Sequence, residues 1–532
     1  MLDILVRGGR VVDGTGNPWF HADVGIQGER IVALGRLGHE SARRTIDADG
    51  LYVAPGFVDM HTHSDLALLA QPTWECKVMQ GVTLEVLGQD GLGLAPVTDE
   101  TREVLHHQLM GWNGPGPGVS RAWHTMAEYL DRFDRTVSPN VAALVGHGTL
   151  RMAVVGLEDR PPTPSELARM RHLVAEAMRD GAVGLSAGLT YAPGMYGTDD
   201  EVVALCEAIH PYGGYYQPHH RNYGARAIEG YRASLEIGRR ARVPVHLTHA
   251  LMNFPVNRGR AAEMLALVDE ARARGLEVTL DTYPYLAGMS YLHAALPSWV
   301  HAGGGEAILA RLGSAEMRAR MRHDMEAGSD GFNGMPIDWG IMVIAGAAVE
   351  VNRDWIGLSI RDAAARAGKA PFDFYCDLLL AERLGVGSLT FSGNEENVRT
   401  IMQHPAHTAG SDGITIGDRP HPRAWGTFAR YLAEYVRTLG LVRLEEMIRK
   451  MTSLPCRRLG FPDRGVVQVG AAADLVCFDA DRVQDTATYE APRQHPRGIP
   501  YVLVNGVVVK DLDRHTGATP GRALRRSVAA PA

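Results

Sequence analysis

The middle of the chain alternates short apolar runs with stretches of helical spacing, an order that predicts repeated βα units around a parallel sheet. Eight apolar runs follow one another: Gly56–Met60 before HTHSD, Val82–Leu87 before GQDG, Val141–Val145 before GHG, Ala182–Leu185 before SAGLTY, Gly214–Gln217 before PHHR, Val243–Leu247 before THA, Val278–Leu280 before DTYPY, and Thr408–Ala409 before GSDG. Each ends in polar or glycine-rich residues, as the strands of a TIM barrel do where a site is built at their C-terminal ends. Intervening stretches such as Pro164–Arg179 and Ala261–Arg274 have helical spacing and few breakers. Between the seventh and eighth runs, residues 295–405 are too long for one crossover helix. With helical stretches at Ser314–Ala327 and Phe372–Glu382, this segment is expected to be an inserted subdomain able to lie over the barrel mouth.

The two ends have a different texture. Short alternating runs at Ile4–Val6, Arg10–Val12, Asp23–Gln27 and Arg30–Leu34 are matched near the C-terminus by Asp474–Phe478, Tyr501–Val504 and Val507–Val509. They suggest one discontinuous β-domain. The expected fold is therefore α/β: a TIM-like (β/α)8 barrel over 55–462, a small discontinuous β-sandwich from 1–54 and 463–532, and a helical insertion between strands 7 and 8. A chain of 532 residues exceeds what a single core usually serves, in keeping with several units.

Composition narrows the function classes. A net charge of −7 without long basic runs argues against nucleic acid or an anionic membrane surface as partner, leaving a small-molecule substrate. Five scattered cysteines (Cys76, Cys206, Cys376, Cys456 and Cys477), with no CxxC pair, suggest neither a disulfide framework nor a thiolate zinc cluster. The opening MLDILVRGGRVVDG alternates like a strand rather than a secretory signal, and no apolar run is long enough to span a membrane, so the cytoplasm is the expected compartment. Oligomeric state is open, including a homo-oligomer.

The chemistry lies in the histidines, of which there are 22. In Asp59-Met60-His61-Thr62-His63-Ser64-Asp65, side chains two apart on a strand share a face, so His61 and His63 can bind one cation. Such pairs also arise by chance and bond locally. The metal reading grows with His219, His249 and Asp412, each closing a later strand, and a carboxylate with several imidazoles suits zinc or a similar divalent ion. His220 and His246 read as packing residues, and His147 in GHG as a group near the ligands or the substrate. Asp412, in Gly410-Ser411-Asp412-Gly413, is the candidate proton shuttle for a metal-activated water; alone, it would read as a glycine-flanked turn.

Over nearly its whole length the sequence resembles the amidohydrolase superfamily, specifically the N-acyl-D-amino-acid deacylase (D-aminoacylase) family. GGRVVDGTG, APGFVDMHTHSD, GAVGLSAGLTY, DTYPYLAG, HPRAWGTF, MTSLPCRRLG, GAAADLV and YVLVNGVVV occur in that family's order. The resemblance implies metal ligands at His61, His63, His219, His249 and Asp412, with Asp412 also the general base. It implies pocket residues at Ser186, Tyr191, Tyr283 and Arg423. An Arg and Tyr pair of this kind holds the substrate's α-carboxylate, and Tyr283 could donate to the carbonyl oxygen as it gains charge.

Two departures matter. Where the family usually reads GNCG with a cysteine ligand, this chain reads Gly88-Gln89-Asp90-Gly91. Asp90 is the expected oxygen ligand in its place, able to bridge two metals, and a harder donor admits Mn or Fe beside zinc. Cys76 is not the missing thiolate. After His249 the family commonly continues His-Lys, whose lysine helps bind the carboxylate; here the chain reads Ala250-Leu251, and Leu251 suggests a less charged group. The leading expectation is amide hydrolysis of an N-acyl-D-amino acid with one or two divalent metals. The same machinery acting on a carboxylate-free amide, cyclic amide or carbamate is the alternative, and an inactive scaffold the remote one.

Overall fold

The computed structural model describes residues 1–526; the last six residues of the expected C-terminal β-segment lie outside them. The barrel strands are β1 (Phe57–Asp59), β2 (Val82–Leu87), β3 (Asn140–Ala143, resuming at Val145–Gly146), β4 (Gly184–Gly188), β5 (Tyr215–His219), β6 (Val245–Leu247), β7 (Val278–Asp281) and β8 (His407–Thr408). Neighbours pair in parallel from β1 round to β8. The ring closes where the Met60 amide donates to the Ala409 carbonyl at 3.2 Å and Thr62 bridges Gly413 in parallel. β2, VTLEVL, is buried at every position, as expected of a strand covered on both faces. The helix Pro164–Arg179 starts where its sequence says it should. Thr163 and Glu166 form a reciprocal capping box, and Pro164 takes the first turn, where no amide is needed.

Strands from both terminal segments join in a single nine-stranded sheet. One continuous strand, Leu2–Val11, replaces the two short ones expected. Along one edge its first half pairs with Ala42–Asp47 and its end with Tyr52–Val53. The sheet therefore forks there, and residues from both ends of the chain, among them Val6, Ile26, Leu475 and Leu503, share one core.

Between β7 and β8 the insertion contains the expected helices, at Ala315–Ala327 and Pro371–Ala381, around its own apolar core. It also has an antiparallel three-stranded sheet, Gly288–Tyr291 beside Gly387–Thr390 beside Met342–Gly346. Strand Gly288–Tyr291 and the turn Ser329–Gly334 reach the barrel mouth, where they line a cleft of about 400 Å³. No helix among the described residues is long and apolar enough to cross a membrane.

Two insertion histidines are buried. Desolvation lowers His293 to about 3 and His301 to about 4. In the unfolded chain both titrate near 6.5, so between about pH 4 and 6.5 the unfolded state binds more protons and stability rises with pH. Acidification through that window should weaken the insertion by up to about 1.4 kcal/mol per pH unit for each histidine. Denaturant unfolding followed by tryptophan fluorescence at pH 7 and pH 5 checks this. His293→Gln should make the slope shallower than the parent's, and an unchanged midpoint across the window would refute it.

Candidate metal centre and its cleft

At the C-terminal ends of the strands, six side chains converge. His61 and His63 follow β1, Asp90 follows β2, His219 ends β5, His249 follows β6, and Asp412 follows β8. The Asp90 carboxylate sits among four imidazoles: Oδ1 is 3.7 Å from His61 Nε2 and 3.8 Å from His249 Nε2, and Oδ2 is 3.7 Å from His63 Nε2 and 3.4 Å from His219 Nδ1. Asp412 Oδ1 lies 3.1 Å from His63 Nε2 and 3.6 Å from His61 Nε2. Three overlapping groups could each hold an ion: His61, His249 and Asp412; His61, His63 and Asp90; and Asp90, His219 and His249. Two donors on one tetrahedral ion, bonded at about 2.1 Å, stand roughly 3.4 Å apart, so the Asp90 spacings suit a shared cation better than direct hydrogen bonds, while His63 and Asp412 are within hydrogen-bonding distance. Both ring nitrogens of His61 and Oδ1 of Asp90 are buried without a hydrogen-bond partner. Buried polar atoms are seldom left so, and a divalent ion answers His61 Nε2 and Asp90 Oδ1, while His61 Nδ1 faces Asp281 Oδ2 at 3.9 Å.

The electrostatics agree. Burial alone would push both carboxyls up. The neighbouring histidines, His219 foremost, hold Asp90 well below the usual carboxylate range, and Arg423 with His61 does the same for Asp412. Burial lowers His61 to about 4 and also lowers His219. For His249, the pull of Asp90 overcomes burial and raises the value. Ionised carboxylates beside neutral His61 and His219 are the protonation states that metal ligation requires, and an ion binding His249 would displace its proton.

The backbone is bent to achieve this. Asp90, His249 and Asp412 all have positive φ, at 52°, 26° and 50°, and such conformations concentrate at functional sites. The Asp90 loop is pinned from β4. The Ser186 hydroxyl donates to the Gly88 carbonyl at 2.5 Å and accepts from the Gly91 amide at 3.1 Å. A Cβ on Gly188 would stand 1.9 Å from the Asp90 carbonyl oxygen. Ser186 therefore does not line the cleft, contrary to the expectation of a substrate contact; its hydroxyl is used up on the loop that carries Asp90.

Of the other expected pocket residues, Tyr191, Leu251 and Tyr283 line the cleft. Arg423 is fully buried behind it, 3.0 Å from Asp412 Oδ1 and 4.5 Å from the Tyr283 ring, with its Nε and Nη1 unpartnered. His147 is not near the ligands. Its Nε2 meets Glu201 at 2.7 Å, and Glu201 also binds Arg151, in a buried trio outside the cleft. His220 packs between Tyr223 and Tyr231. His246 bonds Asp281 at 3.0 Å, and Asp281 in turn accepts from the His249 amide. Cys76 is buried outside the donor groups.

The sequence reading missed the support beneath the site. Lys77 is buried with its Nζ 2.5 Å from Asp59, 2.6 Å from Ser411 and 3.4 Å from Glu85. Asp59 Oδ1 accepts from the amides of Ser411 and His61, so one charge cluster braces both the HTH and GSDG loops. Burial raises Glu85 to about 7 despite Lys77. Below them, Gln217 donates to the Met60 carbonyl and to Gln89. The aromatic wall of Trp112 and Tyr291 was missed too. Trp112 lies on a loop helix with no strand-end signal, and the Tyr291 strand belongs to the insertion.

A parallel barrel with histidines and carboxylates gathered at its C-terminal ends defines a class of hydrolases that work through divalent metal. The Amidohydrolase family model matches residues 44–510, and the chain belongs to that family. It is 36% identical to a D-aminoacylase of Alcaligenes xylosoxydans xylosoxydans, over 99% of this chain and 98% of that protein. An N-acyl-D-glutamate deacylase of the same organism is also 36% identical, over 99% and 97%. Among solved structures, N-acyl-D-glutamate deacylase from Bordetella bronchiseptica, complexed with zinc and a phosphonate inhibitor that mimics the tetrahedral intermediate, superposes with a TM-score of 0.83 at 33% identity, covering 98% of this chain and 99% of that one.

Replacing Ser186 with Ala should loosen the Asp90 loop and lower metal affinity ten- to a hundredfold, with KM at saturating metal within about twofold of the parent. Metal titration and steady-state kinetics check this. A raised KM with unchanged metal affinity would return Ser186 to the substrate.

Proposed function

We propose that the chain hydrolyses the amide bond of N-acyl-D-amino acids, with a divalent metal, zinc or else Mn or Fe, held among His61, His63, Asp90, His219, His249 and Asp412. The observation that carries this is the Asp90 carboxylate set among four imidazoles at the floor of a cleft. Bound there, a divalent ion acidifies water and polarises a carbonyl. Asp412, at the cleft floor and kept ionised by Arg423, takes the proton of the attacking water and returns it to the departing nitrogen. The Tyr283 hydroxyl, also on the cleft, donates to the carbonyl oxygen as charge develops there. Atoms balance across the reaction: water's hydroxyl joins the acyl carbon, the C–N bond breaks, and the amine leaves with the transferred proton.

Recognition of the α-carboxylate falls to Arg423, since Leu251 offers no charge and the Tyr283 proton goes to the carbonyl oxygen. A second reading has one observation in its favour: Arg423 is wholly buried against Asp412, which suits a substrate without a carboxylate.

Free-amine release from N-acetyl-D-amino acids, their L-enantiomers and their α-carboxamides, with metal-reconstituted protein, separates the two readings. Activity confined to the D-acids is expected; carboxamides cleaved with the acids poor would overturn the deacylase assignment. Leu251→Lys adds a cation where a carboxylate would bind, and should raise kcat/KM on the D-acids about tenfold. No gain, beside a parent active on carboxamides, favours the second reading.

A further inference from the structure

His219 presents its two ring nitrogens to different surroundings. Nδ1 points into the donor group, 3.4 Å from Asp90 Oδ2 and 3.0 Å from His249 Nε2. Nε2 points the other way and meets the Thr190 hydroxyl at 2.7 Å. The rings of Tyr191 and Tyr223 flank the imidazole, with centroids 4.7 and 4.8 Å away. Among the described residues, the Thr190 hydroxyl is the hydrogen-bond partner of Nε2.

The backbone puts that hydroxyl in place. β4 and β5 run in parallel with Gly188 opposite His219, and the Leu189 amide donates to the His219 carbonyl at 2.9 Å. Thr190 comes next, half-buried at the edge of the cleft, where the chain leaves β4. The loop beyond it is tied down independently of His219. The Tyr191 amide donates to the Gly188 carbonyl at 3.2 Å, Gln108 holds the Ala192 carbonyl at 2.5 Å, and Arg221 holds the Gly197 carbonyl at 2.6 Å. The hydroxyl therefore stands on a fixed support, and the imidazole is the part it can orient.

A neutral imidazole carries one N–H, and the nitrogen that binds a cation must be the bare one. Nδ1 faces the other donors, so with an ion bound the proton sits on Nε2 and needs an acceptor there. A threonine hydroxyl supplies that acceptor without adding a charge to a site that already holds two carboxylates.

We propose that Thr190 is a positioning residue of the metal centre: its hydroxyl accepts the Nε2–H of His219 and commits Nδ1 to the ion held with Asp90 and His249. The proposal rests on the metal-dependent reading above.

The test measures zinc affinity of the full chain by chelator competition in the parent, Thr190→Val and Thr190→Ser. Valine keeps the shape and removes the acceptor; serine keeps the acceptor. The valine variant should bind zinc ten- to a hundredfold more weakly, and the serine variant should stay within threefold of the parent. Thermal melting of the three metal-free proteins should coincide, which separates the loss from unfolding. Parental affinity in the valine variant would overturn the proposal, as would a serine variant as weak as the valine one. Parental affinity with a raised KM at saturating zinc would give Thr190 to the substrate instead. A crystal structure of the zinc-loaded parent tests the same point without any variant: zinc on Nδ1 of His219, with Nε2 still bonded to Thr190, is expected, and zinc on Nε2 would overturn the proposal. A parent that binds no zinc, Mn or Fe would overturn the metal reading itself.

Discussion

The hydrogen bond from the Asp412 amide to the His61 carbonyl, 2.7 Å long, lies where β8 returns to β1 and closes the barrel. It brings the GSDG loop against the HTH loop, and the rest of the donor set is spaced by the strands between them. The junction is braced from below by Lys77, which meets Asp59 beneath one loop and Ser411 beneath the other. A buried ammonium is costly unless paired, and here its partners are the two segments that must stay together. The long insertion leaves the barrel after β7 and returns before β8, so closure also sets where its sheet and turn stand over the mouth.

Around that junction, charge is balanced more than once. Two carboxylates held in the ionised form face four imidazoles, and Arg423 sits behind Asp412 so that its charge is not left to the metal alone. Asp90 contributes a carboxylate whose two oxygens divide between two pairs of histidines, His61 with His249 and His63 with His219. Leu251 brings no charge to the cleft, and the nearby guanidinium of Arg423 is already paired with Asp412.

Several motifs that look like substrate residues are scaffolding. Ser186 and Gly188 of the GLSAG stretch hold and clear the Asp90 loop. In HPRAWGTF, His421 bonds the Ala287 carbonyl of DTYPYLAG, and a Cβ on Gly426 would press on the Tyr285 hydroxyl at 2.5 Å. Long motifs here mark places where two loops lock together, and only some of their residues face the cleft.

By itself the sequence determined what is local. The eight strand starts, the capped helices, the paired faces of His61 and His63 and the polar strand ends all follow from spacing and residue type over short windows, as does the likeness in its motifs. The tertiary structure alone decided what depends on distant segments meeting. It assigned Ser186 to a loop and not to substrate, set Arg423 behind Asp412, tied His147 to Glu201, placed Lys77 under two loops, and raised Trp112 and Tyr291 as a wall. The reason is physical. A side chain's face and period are set by its own neighbours along the chain, whereas its partner is set by which loops the closed barrel brings within hydrogen-bonding distance.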